Sequence, residues 1–212
     1  MSGYRVPFEN AESEFTEKRS RFISHIWRVE TEEEARSHIE EMKKRYYDAR
    51  HNCWCYLLHE GGIVRYSDDG EPQGTAGQPM LAVFQRQEVT NVCCVVTRYF
   101  GGILLGAGGL TRTYTRGAKD ALDAAGISQM SLWTLWEVPC TYPLLERVKL
   151  EIAACGGVVR SADYGADILL QAAFPAGGAE QFAPRLTELS AGGLEMLPSG
   201  EEFLPGPRQE GN

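Results

Sequence analysis

The sequence predicts an α+β protein of two domains. At 212 residues the chain exceeds the length of an ordinary single domain, about 100–150 residues. Strand-like apolar runs alternate with segments of helical period along most of the chain. A proline-containing segment at 139–143 separates two such groups. We therefore predict a first domain at residues 1–133, a second at 134–204, and a disordered tail at 205–212.

The composition is that of a globular protein with an acidic net charge. Lys and Arg number 21 and Asp and Glu 29, which gives −8 at pH 7. Phosphate contacts require basic side chains, so a nucleic-acid site on this chain has to be local. The chain starts without an apolar signal segment and has no apolar run of bilayer length, which predicts a cytoplasmic protein without a membrane partner.

The six cysteines do not show a metal-binding or disulfide pattern. No CxxC spacing occurs, and Cys93 and Cys94 lie inside an apolar run. Zinc ligation is poorly supported by the spacings, and a disulfide framework is unusual at this length. We interpret the cysteines as small buried hydrophobic residues.

The first domain begins with a strand, a helix and a hairpin. Residues 13–29 predict a strand bent near Lys18. Thr31 then predicts a helix N-cap, and Glu34 stands at the position that completes a capping box. The aromatic run at 51–59 and a second strand-like run meet at two glycines, which predicts a β-hairpin.

A structured loop, a short helix and a central strand follow. The loop at 67–80 is rich in Asp, Gly and Pro, and Thr75 is placed to cap the helix after it. Residues 91–99 are almost continuously apolar, which is typical of a strand covered on both faces. A helix is predicted from Gly109, and a strand rich in Trp and Leu follows it.

The second domain has the order of a ferredoxin-like unit. The Trp-rich strand is followed by a helix, two strands, a second helix and a last strand, at residues 144–154, 158–164, 168–174, 178–190 and 194–203. This βαββαβ order is the ferredoxin-like split unit.

The best candidate site is the stretch from Val92 to Ala125. A strand leads through a glycine-dense loop into a helix, and no Asp or Glu occurs between Glu88 and Asp120. Glycine lets backbone N–H groups approach an anion, and a helix N-terminus adds a positive dipole. The stretch is neither a Walker loop nor a clean dinucleotide fingerprint. The other interpretation is a tight crossover in which glycine only permits close packing.

Residues elsewhere in the first domain extend this candidate to a groove. The predicted nucleic-acid or anion-binding residues are Lys18, Arg21, Thr75, Gly77, Arg98, Gly101, Gly102, Gly108, Gly109, Arg112 and Arg116. Arginines would hold phosphates and nearby aromatic rings would stack on unpaired bases.

Two other kinds of site are possible at the 67–80 loop and in the strand-like run at 51–59: a divalent-cation site and a nucleophilic pair. Asp68, Asp69 and Glu71 could bind a divalent cation, although such side chains more often cap local turns. Cys53 beside His51 could form a nucleophilic pair, and it could equally be a structural pair. We predict no catalytic residue, no metal and no cofactor.

Four motifs resemble the YigZ/IMPACT family, in its bacterial two-domain form. They are KRSRF at 18–22, HNC at 51–53, SDDGEP at 67–72 with GTAG at 74–77, and TRYFGG at 97–102 running on to GGL at 108–110. The resemblance implies a first domain with the left-handed βαβ fold shared by a small-subunit ribosomal protein and elongation factor G. It implies a ferredoxin-like second domain similar to the last domain of elongation factor G. Eukaryotic relatives regulate translation by binding an activator of a starvation-responsive initiation-factor kinase.

The residues and the resemblance together predict a non-enzymatic binding protein. It would engage RNA, on the ribosome or with a translation factor, through the glycine-rich loop and the adjoining arginines. One alternative is a protein-interaction module in translational regulation. Another is an enzyme on a phosphorylated or peptide substrate, with His51, Asp68 and Asp69 as its acid–base or metal groups.

Overall fold

The computed structural model describes residues 3–209 and divides the chain into two compact units. The first unit contains residues 4–129 together with 207–209, and the second contains residues 130–206. Both units mix helices and strands, which confirms the α+β class. The division falls between residues 129 and 130, inside a long strand.

The first unit has six strands and three helices before that long strand. The strands are β1 (Tyr4–Pro7), β2 (Ala11–Glu17), β3 (Ser20–Arg28), β4 (His51–Leu57), β5 (Val64–Ser67) and β6 (Val92–Tyr99). The helices are α1 (Glu32–Arg45), α2 (Gly77–Arg86) and α3 (Gly106–Ala125). The main sheet has the order β2-β3-β6-β4-β5, with each paired strand antiparallel to its neighbour.

Strand β6 is the central strand of this sheet, as its apolar run predicts. Cys94 and Val96 pack into a core formed with α2 and α3. Cys93 and Val95 point to the other face and pack into a core formed with α1. Successive side chains of a strand alternate between faces, so a strand covered by helices on both sides has to be apolar throughout.

A tight turn at Lys18 and Arg19 replaces the single bent strand that the sequence predicts. Glu17 pairs with Ser20 across the turn, and the two residues between them have φ of 45° and 66°. Positive φ at both central positions is the geometry of a two-residue hairpin turn. Lys-Arg lacks the Asn-Gly signal of such turns, which is why the prediction was wrong here.

The helix starts agree with the sequence in one case and differ in two. At α1, Thr31 Oγ1 accepts from the Glu34 N–H at 3.1 Å, so the predicted N-cap is confirmed. Glu34 Oε2 accepts from the N–H of Glu30 at 2.7 Å, one residue before the position that a capping box requires. Helix α2 begins at Gly77 without a cap from the Thr75 side chain. Helix α3 begins at Gly106, earlier than the predicted Gly109.

The second unit has the predicted βαββαβ order. Its elements are β7 (Ile127–Cys140), α4 (Leu145–Ala154), β8 (Val158–Tyr164), β9 (Ile168–Phe174), α5 (Gly178–Leu189) and β10 (Leu197–Gln209). Strand β7 pairs with β9 and with β10, and β8 pairs with β9. Val148 and Ile152 of α4 join Phe182 and Leu186 of α5 in the core that covers the sheet.

The predicted tail is a strand as far as the structure describes it. Strand β10 runs past Pro205 to Gln209, and residues 210–212 lie outside the described residues. Arg208 pairs with Glu9 at 3.1 Å and donates to the Asp123 and Ala124 carbonyl oxygens at 3.4 and 3.0 Å. The last turn of α3 has no basic residue of its own, so Arg208 supplies the cation that a helix C-terminus favours.

The cysteines lie where the sequence predicts them. All six are buried and free of disulfides. Among residues 3–209, no helix combines the length and the apolar composition needed to cross a bilayer.

Candidate functional site

The loop between β5 and α2 is organised by the carboxylate of Asp68. Its Oδ2 accepts from the Gly74 N–H at 2.7 Å, and its Oδ1 accepts from the Ala76 and Gly77 N–H groups at 3.0 and 2.8 Å. The first N–H groups of a helix lack intrahelical partners and favour a negative charge. Asp68 therefore caps α2, and Thr75 donates its hydroxyl to the Pro72 carbonyl oxygen at 2.6 Å instead.

Asp69 ties the same loop to the start of β4. Its Oδ2 accepts from the Asn52 N–H at 2.6 Å, and its carbonyl oxygen accepts from His51 Nδ1 at 2.8 Å. Both aspartates thus hold the loop in place. Within residues 3–209, no three His, Cys, Asp or Glu side chains are grouped to hold a metal ion.

A buried ion pair lies where β6 ends. Arg98 Nη1 donates to Glu71 Oε1 at 2.7 Å, and Tyr114 Oη donates to the same oxygen at 2.8 Å. The side chains of Arg98 and Glu71 are only 6% and 3% exposed. His51 Nε2 lies 3.9 Å from the second Glu71 oxygen. Removing one partner of such a pair leaves an uncompensated buried charge, so this pair fixes the loop against the sheet.

Arg98 is consequently not the exposed phosphate ligand that the sequence predicts. Its Nη2 lies 3.4 Å from Ser20 Oγ, and its guanidinium lies 5.6 and 5.5 Å from the ring centres of Phe22 and Phe100. Only Nε, which is buried, has no hydrogen-bond partner among the described residues. Each Nη group carries two N–H groups and uses one of them in these bonds, so Arg98 keeps one further N–H on each Nη.

The pair of Cys53 and His51 does not have the chemistry of a nucleophile and its base. Cys53 is fully buried and donates its thiol to the Asp68 carbonyl oxygen at 3.0 Å. Burial raises the pKa of the Cys53 thiol well above its usual range, so it stays protonated near neutral pH. Since the thiolate is the nucleophile, Cys53 has a structural role. Burial also raises the pKa of the Tyr114 phenol, which donates to Glu71.

The glycines of the site divide between packing and turn formation. A Cβ at Gly77 would lie 2.8 Å from the Ser67 carbonyl oxygen, and one at Gly101 would overlap the Arg19 carbonyl group. Gly102 and Gly106 have φ of 84° and 70° and open space around them. The two remaining predicted glycines, Gly108 and Gly109, form the first turn of α3. Close packing thus accounts for Gly77 and Gly101, and the loop itself remains open to a ligand.

The predicted cations differ in whether another side chain already binds them. Arg21 makes a double hydrogen bond to Glu14 at 2.7 and 2.8 Å. Arg116 Nε lies 3.2 Å from Asp120, and its guanidinium stacks 4.2 Å from the ring centre of Phe15. The two others, Lys18 and Arg112, are exposed and make no ion pair within residues 3–209.

Three of these cations meet at one small cavity, which we call the cationic groove. Lys18, Arg112 and Arg116 line it with a single carboxylate, Glu17, and its volume is about 160 Å³. Phe15, Leu105, Gly109 and Thr113 complete its wall. The structure therefore brings Lys18 to the first turns of α3, as the predicted groove requires, and it leaves Thr75, Gly77 and Arg21 outside.

A second cavity lies on the other side of the α3 start, and we call it the β6-end cavity. Its volume is about 370 Å³. Its polar lining includes Arg50, His51, Glu71 and Arg98, and Leu105 lines both cavities. Sequence reasoning missed Arg50, which ends a polar stretch after α1, and the role of Glu71, which stands among acidic loop residues of similar composition.

Comparison with known proteins shows similarity along most of the chain. Residues 18–122 match the Impact N-terminal domain, and residues 138–192 match a domain of unknown function, DUF1949. The IMPACT family member YvyE of Bacillus subtilis is 36% identical over 91% of this chain and 89% of its own length. The IMPACT family member YigZ of Escherichia coli is 36% identical over 85% of this chain and 90% of its own.

More distant relatives and a solved structure extend this similarity. A protein IMPACT homolog of Dictyostelium discoideum is 36% identical over 57% of this chain, which covers 35% of that protein. A crystal structure described as that of a hypothetical protein covers 93% of this chain and 97% of its own, at 34% identity and a TM-score of 0.59. The fold described above is therefore shared with a solved relative.

Proposed function

The chain belongs to the IMPACT family, and on that premise we propose that it is a translation-associated regulatory protein that binds RNA at the cationic groove. In the proposal, Lys18 and Arg112 bind phosphates directly, while Arg116 exchanges Asp120 for a phosphate. Arg98 does not take part in phosphate binding at this groove, because its charge is already paired with Glu71.

The observation that carries the proposal is the pair of unpaired cations in an acidic protein. The chain has a net charge of −8, yet Lys18 and Arg112 have no carboxylate partner among residues 3–209 and line one cavity. By contrast, two other exposed cations of the first unit, Arg21 and Lys119, are paired with Glu14 and Asp123. A local positive field concentrates polyanions at one face.

Exposed apolar side chains beside the groove favour unpaired RNA over a duplex. Phe100, Ile103 and Leu104 follow β6 directly and are 39%, 40% and 82% exposed. Bases of single strands and loops stack on aromatic rings such as Phe100 and pack against aliphatic side chains, whereas bases of a duplex are already stacked on each other. The implied likeness of the first domain to ribosomal-protein and elongation-factor folds supports the ribosome as the location of that RNA.

Salt-dependent binding tests this proposal. A single-stranded oligoribonucleotide is titrated by fluorescence anisotropy at several salt concentrations, with the wild type and the variant Lys18→Gln/Arg112→Gln. Loss of two phosphate contacts reduces the slope of log affinity against log salt by about 1.4, since each contact contributes about 0.7 on a single strand. The matched control is Arg36→Gln/Lys44→Gln, which removes the same charge from α1, on the other face of the sheet.

The groove is refuted if the Lys18→Gln/Arg112→Gln variant binds with the affinity and salt slope of the wild type. Equal losses in the groove variant and the α1 control would also contradict it, because they would show a response to net charge alone. The same exposed Ile103 and Leu104 favour a protein partner as the second candidate. A defined protein that copurifies after nuclease treatment and is lost on Leu104→Ser would support that candidate.

A further inference from the structure

We propose that the β6-end cavity is a separate binding site for the terminal phosphate of a nucleotide. The cavity has a volume of about 370 Å³, within the range of small-molecule sites, which is about 300–1,000 Å³. Arg50, His51, Arg98 and the first turn of α3 line it. It differs from the cationic groove in being lined by the partly buried His51 and the buried carboxylate of Glu71.

The donors of this cavity are available to an anion. Arg50 is exposed and makes no ion pair within residues 3–209, and its guanidinium lies 5.8 Å from the ring centre of Phe100. No side chain caps the start of α3, so its first N–H groups lack a partner from a cap. Independently of the helix, Arg98 lines the cavity, and each of its Nη groups has a second N–H beyond the bonds to Glu71 and Ser20. Arg50, Arg98 and the start of α3 together supply positive charge and hydrogen-bond donors to the β6-end cavity.

His51 favours a phosphate monoester over the diester of an RNA backbone. Its Nδ1 donates to the Asp69 carbonyl oxygen, which can only accept, so the neutral ring presents Nε2 as an acceptor. A monoester retains one proton below its second pKa of about 6 and exchanges it readily near neutral pH. That P–OH group can donate to Nε2, and a diester has no such proton.

The apolar part of the lining is suited to the base of the nucleotide. Phe100 and Leu104 are exposed at the mouth of the cavity, and Pro72 and Leu110 line it further. Bases pack on rings and aliphatic surfaces through their faces. The phosphate can come from a free nucleotide or from the 5′ end of an RNA. The RNA source rests on the proposed function, whereas the free nucleotide does not.

Calorimetric titration of the full chain tests the site, with AMP and adenosine as paired probes. AMP binds and adenosine binds at least about tenfold more weakly, because only AMP reaches the charged donors. Arg50→Gln lowers the AMP affinity about tenfold, and Arg36→Gln, a cation on α1, leaves it unchanged. His51→Asn keeps a donor for the Asp69 carbonyl oxygen and loses Nε2, so it weakens AMP binding with the melting temperature retained.

Oligoribonucleotides with a 5′ phosphate or a 5′ hydroxyl separate the two sources. A preference for the 5′-phosphorylated strand that disappears in Arg50→Gln assigns the site to RNA ends. AMP binding without that preference assigns it to free nucleotides. AMP binding that persists in Lys18→Gln/Arg112→Gln separates this site from the cationic groove. Equal binding of AMP and adenosine, with no preference between the two strands, overturns the proposal.

Discussion

Replacing Glu71 by Gln provides a direct test of the buried ion pair. Glu71 Oε1 accepts from both Arg98 and Tyr114, and the Gln oxygen can accept from both in the same geometry. The substitution therefore removes the charge and little else. Arg98 is then left as a buried cation without a counter-charge, which costs about 3–5 kcal/mol of unfolding free energy in comparable pairs.

The chain offers a matched control in Glu14→Gln. Glu14 binds Arg21 at 2.7 and 2.8 Å, but the two side chains are 44% and 52% exposed. The pKa of Glu14 is lowered, chiefly by the hydrogen bond from Arg21, yet water screens this half-exposed pair. Exposed pairs contribute about 0–1 kcal/mol to stability. Because of its burial, the Glu71 pair should therefore lose several-fold more unfolding free energy on substitution than the Glu14 pair.

Differential scanning calorimetry measures both variants. The first unit of Glu71→Gln unfolds about 10–20 °C below the wild type, and that of Glu14→Gln within about 4 °C of it. Equal shifts in the two variants would refute the claim that the Arg98–Glu71 pair holds the loop. Arg98→Met added to Glu71→Gln should restore part of the loss, because no unpaired charge remains.

Two further substitutions test the loop and the glycines. Asp68→Asn removes the charge that caps α2 and one of the two acceptor oxygens. The unfolding free energy measured in urea should fall by about 1–3 kcal/mol. The control Asp163→Asn, at an exposed aspartate, should leave that free energy unchanged. Gly101→Ala overlaps the Arg19 backbone and should lower stability by more than Gly102→Ala, which adds only about 1 kcal/mol of strain at positive φ. Equal stability of the two alanine variants would contradict the packing role of Gly101.

The period of apolar residues was sufficient to predict most of the fold. It identified β6 as the central strand, because a strand covered on both faces has a continuous run of apolar residues. The N-cap of α1 was predicted separately, from the spacing of Thr31 and Glu34, which are near neighbours in the chain. The Lys18-Arg19 turn was missed because these residues adopt positive φ only through the pairing of β2 with β3.

The site was less accessible to sequence reasoning, because its contacts join residues distant in the chain. Lys18 and Arg112 line one cavity, as the groove predicted from the sequence requires, and whether that groove binds an anion stays a prediction. Whether the Arg98 side chain is free or paired depends on Glu71, which lies 27 residues away in the chain. Glu71 stands among other acidic residues that have different structural roles. Composition could not distinguish Glu71, a buried counter-charge, from Asp68, a helix cap. Only the fold assigns each carboxylate its partner.

The close contact between Gly101 and the β2–β3 turn has a consequence for how the groove meets its ligand. The Gly101 N–H donates to Ser20 Oγ at 3.2 Å, and the backbone of Gly101 lies directly against Arg19. The turn that carries Lys18 is thereby fastened to the loop that leads to Leu105, and both residues line the cationic groove. The ligand proposed for this groove would meet two walls already held at a set spacing, so its binding would cost little conformational entropy in ordering them. Such a rigid recess selects ligands by width and can bind them at rates limited by encounter.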